Sequence, residues 1–291
     1  MRSCTKCQSI FLSPRPDSQT LAAAYSDAYY GTNEQKFSPL FEQIIDLFRS
    51  RRAKNITQHL QAGDKVLDIG CGNGNFLRYV RQQGNFDIYG IELPGKRADI
   101  ALKVPHLKLK CGVLESHDFP PESLAAVTMF HVFEHLTEPQ HYLRIIQQIL
   151  RPDGLLVVSF PNIDSWQSRW FRGHWFHLDP PRHLFFMRPK DCIAAFKQYG
   201  FVHQETSFFS IEYNPFGFQQ SLLNVVQTKR ELLYEYFKKN KNYTDGTPTI
   251  WLYLQYAFFL VTFPLFIVLD LLESWTKRGA TVQLMFRKRE V

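Results

Sequence analysis

Val66-Leu67-Asp68-Ile69-Gly70-Cys71-Gly72-Asn73-Gly74 is the stretch that settles the fold. An apolar, strand-like run carrying one acidic residue passes into three glycines at alternate positions, and a helical pattern begins at Asn75. Glycine at that spacing lets the backbone turn sharply and lets a ligand approach with no Cβ in the way. The spacing is not the G-x-G-x-x-G of nicotinamide-binding loops. An acidic residue ahead of G-x-G-x-G suits a ligand whose nearby group is a cationic amine rather than a pyrophosphate. Glu92 closes the next apolar run, about twenty residues on, where a carboxylate can accept hydrogen bonds from both hydroxyls of a ribose. The bland alternative is a tight strand–helix turn that holds nothing.

Outward from the loop, apolar runs at 65–69, 87–92, 107–111, 124–130 and 155–160 alternate with helical stretches. A helix over 189–199 stopped by Gly200, a sixth strand at 201–211 and a last strand at 281–286 follow. That alternation predicts an α/β fold, a mostly parallel seven-stranded sheet with helices on both faces. Ahead of it, 1–38 reads as a lead-in, and an amphipathic helix over 41–60 carries Phe41, Ile44, Ile45 and Phe48 at helical spacing. The sheet domain occupies 39–211 and is completed by 280–291. Between them, 212–279 reads as a helical hydrophobic insert, with an amphipathic stretch over 219–239 and an uncharged run over 250–269 divided at Pro264 into two short helices.

A chain of 291 residues holds one large α/β domain with appendages. Its net charge of +7 favours contact with something anionic, such as a phosphorylated substrate, an acidic lipid surface or nucleic acid. No basic groove stands out, so nucleic acid is not the expected partner. Five cysteines make no disulfide framework in a chain of this size, and there is no basic-then-apolar signal pattern. A reducing, cytoplasmic setting is expected.

The loop, Glu92 and three downstream segments together resemble the class I S-adenosylmethionine-dependent methyltransferases. His131-Val132-Phe133-Glu134-His135-Leu136, then Leu150-Arg151-Pro152-Asp153-Gly154, then Phe160-Pro161-Asn162 are similar to a bacterial group with an "H-V-L-E-H" segment. Trp175-Phe176-His177-Leu178-Asp179-Pro180-Pro181-Arg182-His183-Leu184 is similar to a further signature of that group. The resemblance implies a Rossmann-like methyltransferase fold with S-adenosyl-L-methionine as cofactor. It assigns Asp68, Gly70, Cys71, Gly72 and Gly74 to the methionine end, Glu92 to the ribose, and Leu114 and Glu115 to the flanks of the adenine. Members of the group often begin with a four-cysteine zinc ribbon, of which only Cys4 and Cys7 are present. Two motif positions depart from the pattern: Ala125 or Ala126 stands where an Asp is common, and Asp153 replaces a turn glycine.

Ligands of open α/β sheets bind beyond the carboxyl ends of the strands, which places His131 near the transferred methyl. Its imidazole suits proton removal from the acceptor; otherwise it only caps a helix or lines the cofactor pocket. His131, Glu134 and His135 on one helical turn, with His183, would instead make a metal site like that of small-RNA 2′-O-methyltransferases. Trp175, Arg182 and His183 are candidates for an acceptor pocket, aromatic for stacking and cationic for a phosphate or carboxylate. The expected acceptor is a small or lipid-linked molecule, such as a glycan precursor. The insert is expected to dock on an anionic membrane surface without crossing it, the competing readings being a lid or a homodimer face. An RNA methyltransferase with a metal-assisted site and a non-catalytic cofactor-binding or membrane-tethered scaffold protein are the rival functions.

Overall fold

In a computed structural model, residues 1–5, 8–25 and 39–289 are described. Cys7 lies outside the described residues. Seven strands form one sheet: β1 (Lys65–Ile69), β2 (Asp87–Glu92), β3 (Lys108–Cys111), β4 (Leu124–Phe130), β5 (Leu150–Pro161), β6 (Phe201–Ser207) and β7 (Thr281–Lys288). Their order across the sheet is β3-β2-β1-β4-β5-β7-β6. The first five pair in parallel, while β7 runs antiparallel to β6. The central strands β1 and β4 are mostly apolar without alternation, as in a parallel sheet covered on both faces; β4 has six of its seven residues buried. The winding reverses between β1 and β4, and a crevice opens at such a switch point.

Three segments depart from the expected strand ends, and the first is β6, which stops at Ser207 instead of running to 211. β5 starts at Leu150 instead of 155, because Leu150 pairs with Leu124 and Leu155 with Ala126, and the residues between are bulged out. Asp153 in that bulge has φ 57°, and the Arg287 guanidinium donates to its carboxylate at 2.9 Å. The last strand continues to Lys288, whose ammonium donates to the Leu150 carbonyl at 2.7 Å.

The chain divides into two compact units. The sheet unit comprises 46–160, 189–207 and 283–291; the helical unit comprises 1–45, 161–188 and 208–282. By compactness, 161–188 groups with the insert. Helix α1 (Pro39–Thr57) and helix α2 (Asn75–Gln83) are the first two long helices of the described chain. In the sheet unit Ala53 and Ile56 of α1 and Leu77 and Val80 of α2 pack with Val66, Ile88, Leu155 and Val157 into one buried cluster. Truncating Ile56 there costs about 2–5 kcal/mol.

In the helical unit, α3 (Asn214–Val226) packs on α4 (Thr249–Trp275). The amphipathic stretch expected over 219–239 is interrupted: α3 ends at Val226 and a short helix resumes at Leu232–Phe237. The two short helices expected around Pro264 are one continuous helix of 27 residues, about 40 Å long. A proline inside a helix removes one hydrogen bond and costs about 3 kcal/mol. Here Pro264 faces outward, and the preceding turn is held otherwise. Gln219 Nε2 donates to the Phe259 carbonyl at 3.0 Å and to Thr262 Oγ1 at 2.7 Å, and Thr262 Oγ1 donates to the Phe258 carbonyl at 2.7 Å. Phe259 and Phe263 meanwhile pack with Phe216, Leu223 and Leu233. Tertiary packing outweighs the propensity penalty.

The polarity of α4 is inverted. Its buried stripe is Leu252, Gln255, Phe259, Phe263, Phe266, Asp270 and Glu273, whereas its outward residues include Ile250, Leu254, Val261, Leu265, Val268 and Leu271. Val261 is 80% exposed. Neighbouring α3 follows the same rule, burying Gln219, Gln220, Ser221 and Asn224 and exposing Leu222, Val225 and Val226. The buried acids are hydrogen-bonded: Asn214 Nδ2 donates to Asp270 at 2.7 Å and Gln167 Nε2 donates to Glu273 at 2.9 Å. Burial pushes their carboxyls up, to about 7 for Asp270 and about 8 for Glu273.

Candidate functional site

Gly70, Gly72 and Gly74 all have positive φ, 69°, 59° and 76°, so the loop between β1 and α2 is wound in a form that side chains resist. Gly70 makes room inside the protein: a Cβ there would lie 2.3 Å from Val132 Cγ2. Gly72 makes room outside it, because a Cβ there would meet nothing within 4 Å. The Gly70 N–H donates to the Ile91 carbonyl at 2.7 Å, and Gly72 N–H donates to Glu92 Oε2 at 2.5 Å. Glu92 Oε1 accepts from Leu93 N–H at 3.1 Å. The carboxylate at the end of β2 thus clamps the loop and still has lone pairs for hydroxyl donors. Cys71 points into the core and is 6% exposed; Gly90 across from it leaves space for its sulfur.

Asp68 is 3% exposed. Thr128 Oγ1 of β4 donates to its Oδ1 at 2.6 Å. Burial pushes the Asp68 carboxyl up to about 7, with a smaller push from Glu92 against the pull of Thr128 and Arg52. A carboxylate held against its will in this way is stabilised by an added cation, which is what an amine-bearing ligand supplies. The glycine cradle open over Gly72, the Glu92 acceptors and the raised Asp68 fit such a ligand. Thr128 escaped the sequence reading, although it is the lone polar residue in Leu124–Phe130. Leu114 lies beyond β3 at 2% exposure. Glu115 is exposed and accepts from the Lys110 ammonium at 2.6 Å.

His131 stands one residue past β4 with φ 55°. Its N–H donates to the Ser159 carbonyl at 2.9 Å, fixing the backbone to the end of β5. Its Nδ1 lies 3.4 Å from Glu134 Oε1, with Glu134 buried. The following residues make a 3-10 turn, Phe133–His135, not a full helical turn, and Phe133 packs on Phe160 and Phe196. The side chains of His131 and Glu134 are therefore brought together. His183, the fourth member of the expected metal set, belongs to the helical unit, where its Nδ1 lies 2.7 Å from the His177 carbonyl.

The residues expected to form an acceptor pocket fare differently from one another. Trp175 is fully buried, packed with Phe171, Phe186, Phe218 and Phe266, so it offers no stacking face. His183 is also buried. Arg182 forks onto Asp179 and donates to the Ala24 carbonyl at 3.2 Å, and it lines a pocket of the helical unit.

Residues 39–206, more than half the chain, match the family described as "Methyltransferase domain". A ubiquinone biosynthesis O-methyltransferase of Bordetella avium is 29% identical over 198 residues, covering 62% of this chain and 78% of that protein. Among solved structures, a sarcosine dimethylglycine methyltransferase candidate from Galdieria sulphuraria has a TM-score of 0.54 at 14% identity, covering 91% and 94% of the two chains. Phosphoethanolamine N-methyltransferase 2 of Haemonchus contortus, solved with S-adenosyl-L-methionine, has a TM-score of 0.52 at 15% identity, covering 82% of this chain and 53% of that one. Likeness at that level of identity speaks to the fold alone.

Proposed function

The chain belongs to the methyltransferase-domain family, and from that premise we propose that it methylates a hydroxyl of a small or lipid-linked acceptor at a membrane surface. It is an S-adenosylmethionine-dependent methyltransferase. The bound cofactor supplies an activated methyl on a sulfonium, so no further activation of the donor is needed. Asp68 would hold the amine of its methionine end, the Gly70–Gly74 backbone would lie against it, and Glu92 would accept from its ribose hydroxyls. His131 accepts the acceptor's proton and Glu134 is its positioning residue, keeping the ring turned and favouring the imidazolium that forms.

The observation that carries the hydroxyl reading is the His131–Glu134 pair at 3.4 Å just beyond β4. An alcohol must lose a proton as it is methylated, and a buried carboxylate beside an imidazole supports that loss. An O-methyltransferase name on the relative from Bordetella avium agrees with it. The inverted polarity of α4 supports the membrane part. An uncharged outward face with Trp251 and Trp275 near its two ends, and Lys277 and Arg278 just beyond, matches the apolar and cationic halves of an interfacial helix. A cytoplasmic enzyme lying on the inner leaflet follows from this reading.

Labelled methyl donor, incubated with the enzyme and separately with bacterial lipid extract or aqueous metabolite extract, tests the proposal. Label is expected in the lipid fraction as an ether stable to mild base. Label found only on an amine or as a base-labile ester refutes the hydroxyl reading, and label appearing only in the aqueous fraction refutes the membrane-surface part.

A further inference from the structure

The helical unit contains a pocket of about 400 Å³, within the range of small-molecule sites. Among the described residues three acids, Asp179, Glu231 and Glu235, and three bases, Arg182, Arg230 and Lys238, line it. Their formal charges cancel, three against three. Arg182 forks onto Asp179, and Lys238 donates to Glu235 at 2.7 Å. Asn240 Nδ2 donates to the other oxygen of Glu235 at 2.6 Å. Two groups stand apart from this pairing. Arg230 Nη2 is buried and has no hydrogen-bond partner. Among the described residues nothing donates to the Glu231 carboxylate, and its backbone is pinned at φ 56° with its N–H on Asn224 Oδ1.

A buried guanidinium nitrogen without an acceptor is unfavourable. The pocket therefore offers a donor on Arg230 and an acceptor on Glu231, whose carboxyl burial pushes up to about 7, with acids and bases equal in number among the described residues. An anion such as phosphate would gain Arg230 but meet three carboxyls. A cation would meet three basic groups. A planar base would want a ring to stack on, yet the Tyr243 ring carries the Lys229 ammonium at 5.0 Å, and its hydroxyl donates to the Arg230 carbonyl. A neutral ring bearing hydroxyls, each both donor and acceptor, satisfies Arg230 and Glu231 together.

We propose that this pocket binds a neutral, hydroxyl-rich ligand of the sugar-ring class, held between the Arg230 guanidinium and the Glu231 carboxylate. The proposal goes beyond the methyl-transfer reading, because every residue it uses lies in 179–243 and none belongs to the cofactor loop.

Saturation-transfer NMR on the full chain, with a panel of methyl hexopyranosides, 6-deoxyhexoses and N-acetylhexosamines, tests it. At least one sugar is expected to show transfer, and Arg230→Met and Glu231→Gln are each expected to weaken it tenfold or more. Arg230→Lys, which keeps the charge and loses the fork, is expected to weaken it as well. Melting curves confirm that the variants fold. Calorimetry with S-adenosylmethionine on the same variants is expected to match the wild type, so loss of sugar binding and loss of cofactor binding are separate results. Absence of transfer to every member of the panel overturns the proposal. So does sugar binding indifferent to both substitutions, or phosphate binding that Arg230→Met abolishes.

Discussion

Alanine at Gly72 separates the two tasks of the cofactor loop. The site has φ 59° and open space where a Cβ would go, so in the free protein alanine brings only the left-handed backbone penalty. That penalty is about 1–2 kcal/mol, which lowers the melting temperature by roughly 2–8 °C in a protein of this size. With cofactor present, the methyl occupies the space the ligand needs. Overpacking of that kind costs about 1–3 kcal/mol, so affinity falls roughly 5-fold to 150-fold. Gly70→Ala inverts the pattern. Its φ is 69° and its Cβ would lie 2.3 Å from Val132 Cγ2, so clash adds to backbone strain and the fold itself suffers more. Thermal melts and calorimetry with S-adenosylmethionine on both variants measure the two effects independently. Affinity of Gly72→Ala within twofold of the wild type would place the cofactor elsewhere. A larger stability loss at Gly72 than at Gly70 would refute the reading of the two glycines.

Cofactor affinity should fall as pH drops from 7.5 to 6, since the Asp68 carboxyl, held up at about 7 by burial, is ionised above that pH and neutral below it; Asp68→Asn should bind weakly with no such dependence, and a flat wild-type profile contradicts the amine contact. In the free protein the same raised value works in the opposite sense: the stability Asp68 contributes is fullest below its unfolded value of 3.8 and declines as pH rises through about 7. His131→Ala should lower kcat by about 10²–10⁴ with cofactor affinity little changed, and Glu134→Gln should lower kcat less and shift the pH–rate profile; full turnover in His131→Ala, abolished by a chelator, would point to metal instead. Vesicles containing anionic lipid should sediment the wild type but not a variant with Val261, Leu265 and Val268 changed to serine, three outward residues of α4; equal behaviour of the two proteins, or a concentration-dependent dimer that the serines dissolve, would assign the face to protein.

The sheet was legible because its signals are local. A strand running into Gly70-x-Gly72-x-Gly74 and an acidic residue at Glu92 need no distant information, and their geometry follows from backbone sterics. Asp68 was legible as an acidic residue near the loop, but its raised pKa was not, since that comes from burial by residues far away in the chain, against which Thr128, sixty residues on, pulls the other way. The continuity of α4 through Pro264 was hidden for the same reason: the hydrogen bonds that hold it come from Gln219. Trp175 read as a stacking face because composition cannot tell an aromatic pocket from an aromatic core. The Arg230–Glu231 pair carries no motif, and only the turn at Glu231 and the fold around it make those two residues a site.

The interleaving of the two units bears on how the protein is made. The chain passes between them five times, and β7, the partner of β6, comes from residues 281–288 near the end of the described chain. During synthesis β6 must therefore wait, with its pairing edge bare, while the seventy-odd residues containing α3 and α4 emerge. In that interval the chain carries both an outward apolar face on α4 and an open sheet edge on β6, each of which invites aggregation. Contact of α4 with lipid while the chain is still growing would cover the face before the sheet closes. Expression in cells should then give more soluble product from a chain permuted to place β7 directly after β6 than from the natural order.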